Sequence, residues 1–162
     1  MAVDMFLKIE SPTIKGEAKD AMHKEEIDIL AWSWGTSNSG TTHQGGGGGG
    51  GKANFQDISF TGWYEKSTHE LIKFCATGTH IDKLILTVRK AGKTPLEYIV
   101  YTLEDAMVTS VSTGGSGGED RLTVNFSINF SKLDIMYREQ DDKGGKAAEF
   151  PFKWDIAGNA DA

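Results

Sequence analysis

A glycine run ends in lysine, so that residues 46–52 read G-x4-G-K. This is the front of a phosphate-binding loop, whose backbone N–H groups and lysine cradle phosphoryl oxygens. The next position should be Ser or Thr, to meet a magnesium ion, but Ala53 stands there. A β-prone segment follows where the motif needs a helix. A pliable loop fits these residues better than a nucleotide site.

The other chemical residues fail in the same way. His23, His43, His69 and His80 form no H-x3-H pair, and the one cysteine, Cys75, has no C-x2-C partner. No metal and no cofactor are therefore expected. Cys75 sits beside Leu71 and Ile72 on a helical face, which marks a small buried hydrophobe rather than a nucleophile. Glu25, Glu26 and Asp28 could work as paired carboxylates, but no partner acid stands out on another strand. Glu119, Asp120 and Arg121 suit a local ion-pair cluster. Trp32 and Trp34 could stack on sugars or bases, yet Leu30 is their neighbour at period two, which points to core. No catalytic residue is assigned.

A length of 162 residues fits one domain, and residues 1–162 are expected to form a single barrel unit. The net charge is -6 and the basic residues are scattered, which argues against a nucleic-acid partner. No apolar stretch is long enough to span a bilayer as a helix. A single cysteine implies a reducing compartment during folding. Asp4 and Lys8 interrupt the apolar N-terminal run, so no cleavable signal peptide is expected.

The elements that must position these groups are mostly strands. β-Prone runs cover residues 5–9, 26–35, 54–61, 83–90, 96–111, 121–131 and 150–156. In 26–35, period two places Leu30, Trp32 and Trp34 on one face and Ile29, Ala31 and Ser33 on the other. Residues 96–111 are apolar on both faces, as in a strand covered on both sides. Residues 67–76 are the one helix, with a Ser67/Glu70 capping box and Gly78 as its stop. Residues 11–24, 112–120 and 138–149 read as loops or turns, with a flexible loop at about 40–53 and a loose tail at 157–162. The fold class is mainly β: a small antiparallel barrel or sandwich, flanked by one helix, with a long Gly-rich extended loop.

The strand 121–131 alternates most clearly. Leu122, Val124, Phe126, Ile128 and Phe130 face one way, and Thr123, Asn125, Ser127, Asn129 and Ser131 the other. The apolar phase then slips to Leu133, Ile135 and Tyr137, which predicts a β-bulge near Ser131 and Lys132. A solvated strand face usually mixes in Lys and Glu. Small uncharged residues fit a subunit contact or a water-filled lumen instead.

Several segments together resemble one family. They are MAVDMFLKI, HKEEIDILAWSWG, HQGGGGGGGK, QDISFT, KSTHELIKFCATG, LTVRKAG and, at 110–123, SVSTGGSGGEDRLT. In this order they resemble the Hcp (haemolysin-coregulated protein) family over residues 1–137. The resemblance implies a tube subunit of bacterial type VI secretion. Six copies would close into a pored ring, rings would stack into a tube inside a sheath on its baseplate, and the tube would be expelled behind a spike. Small effectors would ride in the pore, with the ring as their chaperone. The protein would assemble in the bacterial cytoplasm and leave without a signal peptide, inserting in no membrane. The resemblance places Ser33 on the pore wall. It makes Thr42, His43, Gln44, Gly45, Gly48, Gly51 and Lys52 part of a loop that reaches a neighbouring subunit or ring. The barrel ends too near the C-terminus for an appended toxin domain. The competing expectations are a monomeric barrel that binds a ligand or sugar, and a hydrolase using Glu25, Glu26 or Glu119.

Overall fold

The computed structural model describes residues 2–40, 43 and 50–162. The elements run β1 (Val3–Glu10), β2 (Ile27–Ser33), β3 (Thr36–Ser37), β4 (Asn54–Phe55), β5 (Ile58–Trp63), α1 (Lys66–Thr77), β6 (His80–Lys90), β7 (Leu96–Thr113), β8 (Thr123–Gln140), β9 (Lys146–Asp155) and β10 (Ala160–Asp161). Every pairing is antiparallel. The order β5-β2-β1-β6-β7-β8 closes when β8 pairs back with β5, giving a six-stranded barrel. Closure removes the unpaired edges that an open sheet would expose.

The 18-residue strand β8 makes this possible. Its first part, from Thr123 to Ile128, pairs with β5, and its later part, from Lys132, pairs with β9. β7 runs along its other side throughout. Residues 138–149, expected as a charged loop, are mostly strand: β8 continues to Gln140 and β9 starts at Lys146. Tyr137 stacks on Phe150, and Glu149 pairs with both Arg138 and Lys146, so ladder and side chains carry the hairpin to a short turn. The tail is tied down as well, with Ala160 and Asp161 pairing with Asp155 and Trp154.

The barrel interior holds Leu7, Ile9, Ile27, Ile58, Phe60, Leu84, Leu86, Leu103, Phe126 and Ile128, each nearly or fully buried. Phe60 and Phe126 stack with ring centroids 5.1 Å apart. Each such side chain contributes about 1.5–3 kcal/mol of burial free energy. Leu71 and Phe74 of α1 join this core, whereas Ile72 points to solvent and Cys75 is half-buried against the cluster.

Three local expectations change. First, Leu30 does not share a face with Trp32. The β2–β5 register shifts between Ile29 and Ala31, so Ile29 points into the core and Leu30 is 39% exposed. Trp32 and Trp34 do pack against the core, on Tyr101. Second, the helix cap lies two residues earlier than expected. Glu65 is the N-cap, its N–H donates to Thr68 Oγ1, and Ser67 Oγ donates to Glu65 Oε1. Glu17 supplies the tertiary reason, accepting from the Lys66 N–H and donating its own N–H to Glu65. Gly78 does end the helix, at φ +66°, with its N–H on the Phe74 carbonyl. Third, the phase slip at Ser131 and Lys132 is not a one-strand bulge. Leu103 pairs with Leu133 and Ala106 with Phe130, all four in the core, so both strands skip two residues together and register is kept. Asp105, opposite the slip, has φ +52°.

Candidate functional site: an uncharged face across four strands

Because side chains alternate along a strand, every inward core residue leaves its neighbours on the outer wall. On β2, β5, β8 and β7 the registers place these neighbours in line. Ser33 pairs with Ser59, Ser59 with Ser127, and Ser127 with Ser110. One step along, Ala31 pairs with Thr61, Thr61 with Asn125, and Asn125 with Ser112. Two adjacent rows thus cross four strands without a charge. They line a single shallow concavity on the barrel wall.

The rows are cross-linked. Thr61 Oγ1 donates to Asn125 Oδ1 at 2.6 Å, and the Ser127 hydroxyl lies 2.8 Å from that of Thr109 and within hydrogen-bond reach of Ser110. At one border Asp57 accepts from Thr109 Oγ1 and Asn129 Nδ2, each at 2.8 Å. At the other, the Arg121 guanidinium lies over Trp63, 4.4 Å from its centroid. Arg121 is thus committed to an aromatic ring, where an ion pair with Glu119 or Asp120 was expected. Short side chains already hydrogen-bonded to one another make a polar, uncharged wall. They offer neither a nucleophile with a base nor a converging set of acids.

Ser33, assigned from the sequence, stands at the end of the serine row. Ser59, Thr61, Ser110 and Ser112 were missed, because they join the site only through cross-strand register. The polar residues of β8 were the one legible signal. The extended loop rises from the β3–β4 ribbon, where Trp34 Nε1 donates to the Gln56 carbonyl and Asn38 Nδ2 to the Gly51 carbonyl. His43, Gly51 and Lys52 are exposed there, while Thr42, Gln44, Gly45 and Gly48 lie outside the described residues.

The remaining candidates are scattered. Among the described residues no three His, Cys, Asp or Glu side chains converge as a metal site would require. His69 meets Tyr64, and His80 faces Asp82 and Asp105. Glu25 pairs with Lys15, and Glu26 with His23. Burial pushes the Asp28 carboxyl up, and it likewise pushes up that of Glu65. The Arg89 guanidinium holds Asp20 down to about 2. None of the described helices is long and apolar enough to cross a membrane.

A closed six-stranded barrel with an uncharged outer wall is the architecture of this protein, and the chain belongs to the type VI secretion Hcp family, whose model, "Type VI secretion system effector, Hcp", matches residues 6–137. It is 51% identical to protein hcp1 of Pseudomonas aeruginosa, over the whole of both chains. It is also similar to the crystal structure of Hcp1 from Salmonella typhimurium, at 35% identity and a TM-score of 0.81, with both chains fully covered. A further structure, of a type six secretion system protein, shares the fold at a TM-score of 0.92, with 24% identity, over 99% of this chain and all of that one.

Proposed function

We propose that this chain is the tube subunit of a type VI secretion machine, acting without catalysis. Six copies close into a ring, the uncharged face lines the pore, and the rings stack into a tube. The observation that carries this reading is the pair of charge-free rows through Ser33, Ser59, Ser127 and Ser110 and through Ala31, Thr61, Asn125 and Ser112. A wall that guides a passing protein gains from hydration and loses from fixed charges, which would trap oppositely charged cargo. Small effectors therefore ride inside the ring, and the ring acts as their chaperone.

The exposed end of the β8–β9 hairpin supports assembly. Tyr137, Phe150 and Phe152 are 43%, 54% and 46% exposed and lie on one face, a concentration of aromatic surface typical of subunit contacts. The loop carrying Thr42, His43, Gln44, Gly45, Gly48, Gly51 and Lys52 reaches a neighbouring subunit or ring. The whole chain acts as one barrel unit. It assembles in the bacterial cytoplasm, meets the spike, sheath and baseplate there, and leaves with the tube to the outside or a target cell.

Native mass spectrometry tests the ring, and negative-stain images test the pore. Hexamers with a central hole are expected. A stable monomer at every concentration would instead favour a barrel that binds a ligand alone.

A further inference from the structure

The segment between β1 and β2, residues 11–26, contains no helix and no strand, yet it is tightly held. Gly16 N–H donates to the Glu25 carbonyl, Glu25 N–H to Ala18, and Ala18 N–H to Glu26, at 2.8 to 3.0 Å. Ile14 and Ala18 are buried. A loop of this length, folded on itself and docked on a barrel, forms a strap, and loops of this kind commonly have a role of their own.

His23 closes the strap. It is 7% exposed, and its ring lies flat on Phe6 of β1, with centroids 4.4 Å apart and planes 8° from parallel. Nδ1 is 2.8 Å from Glu26 Oε2, and Nε2 is 2.7 Å from Glu97 Oε1 on β7. An ionised carboxylate only accepts hydrogen bonds, whereas a neutral imidazole donates from one nitrogen alone. Both contacts are hydrogen bonds only when both nitrogens carry hydrogen. In the neutral ring, one lone pair would face a carboxylate at under 3 Å.

We infer that His23 is a proton-dependent latch, holding the strap closed on β1 and β7 when its ring is doubly protonated and releasing it when the proton leaves. The other charged groups around it do not substitute for that proton. Arg89 on β6 is committed to Asp20 of the strap and Asp4 of β1. Lys8 on β1 pairs with Glu10, and Arg138 on β8 bonds the Glu97 carbonyl rather than its carboxylate. Deprotonation of His23 therefore leaves Glu26 and Glu97 facing a ring that can satisfy only one of them. Closure is thus favoured where the imidazole is charged and the two glutamates are ionised. It weakens when the ring loses its second proton, because one of the two contacts is then a lone pair facing a carboxylate.

The test is amide hydrogen exchange on the intact chain at about pH 5 and about pH 8, corrected for intrinsic exchange, with ¹⁵N shifts of the His23 ring read alongside. Protection at Gly16, Ala18 and Glu25 is expected to fall about tenfold or more at the higher pH, the loss of one charge-assisted bond, while β6–β8 are unchanged. The ring should show two protonated nitrogens where protection is high. H23Q should abolish the pH response, and E97Q, which keeps the ring and one carboxylate, should weaken it. A neutral ring in the protected state, equal protection at both pH values, or the same response in H23Q would each overturn the latch.

Discussion

Asp20 and Arg89, 69 residues apart in the chain, meet through two parallel N–H···O bonds of 3.0 and 2.6 Å. The same guanidinium bonds Asp4 at 3.1 Å and rests 5.1 Å from the Phe6 ring centroid. This fork geometry fixes the strap's orientation as well as its position. It also holds Asp20 ionised down to about 2. A carboxyl depressed in the folded state stabilises above its unfolded value and loses that contribution as pH falls towards the folded one. Strap protection should therefore fall in acid between about pH 4 and about pH 2, and D20N should remove that step. An acid titration followed by amide exchange in the strap reads this directly. R89K should not restore the bond pattern, because an ammonium cannot form the fork.

Phe60 and Phe126 stack within the buried core of the barrel. Phe60 is 1% exposed and Phe126 2%. F60A leaves a cavity between four strands that cannot collapse without breaking the ladder. A loss of about 3–5 kcal/mol is expected in chemical denaturation.

Two glycines should respond unequally to alanine. At Gly78 the backbone is left-handed, with φ +66° and space for a methyl group, so G78A should cost about 1–2 kcal/mol from conformation alone. At Gly16 an added Cβ would lie 2.4 Å from the Glu26 carbonyl oxygen and 2.7 Å from the Ile27 Cα. G16A should displace the strap from β2 and raise exchange at Ala18 and Glu25, while the barrel core stays protected. Thermal melts and exchange on the two variants separate these effects.

On the uncharged face, S33R adds length and charge where the side chain is exposed and makes no core contact. Barrel stability should change by about 0.5 kcal/mol or less. Rings should still form, and retention of co-expressed effectors should change. Loss of the ring in this variant would remove Ser33 from the pore wall.

The aromatic end of the hairpin should behave oppositely. F150D places a charge among Tyr137 and Phe152, where the side chain is 54% exposed in the single chain. The barrel should keep its melting temperature within a few degrees, since little core burial is lost. Ring formation should fail or weaken by about tenfold, read by native mass spectrometry across concentrations.

What could be read before the structure follows from the range of each signal. The alternation in residues 121–131 lies within one strand, so its two faces were legible. Gly78 was legible as a stop because a left-handed C-terminus has a local residue preference. The cap was misplaced because Glu65 is fixed by Glu17, a tertiary partner that Ser67 and Glu70 do not reveal. The hairpin at 138–149 reads as loop from composition because its charges pair across strands, as Arg138 does with Glu149. Only Ser33 and Ser127 of the serine row were visible, since Ser33, Ser59, Ser127 and Ser110 lie on four strands and meet by register alone. The setting of His23 is hidden in the sequence for a related reason: Phe6 and Glu97 come from elsewhere in the chain.

The strand β8 is shared by two structures, the closed barrel and the flange built with β9. Because it is continuous, the flange has no hinge at its root. A load applied to Phe150 or Phe152 along the strand direction passes through the β8–β9 ladder into the hydrogen bonds between β8 and both β7 and β5. Those bonds then bear it side by side, in shear, rather than opening one after another like a zip. The protein is built so that whatever grips its rim pulls on the barrel wall as a whole.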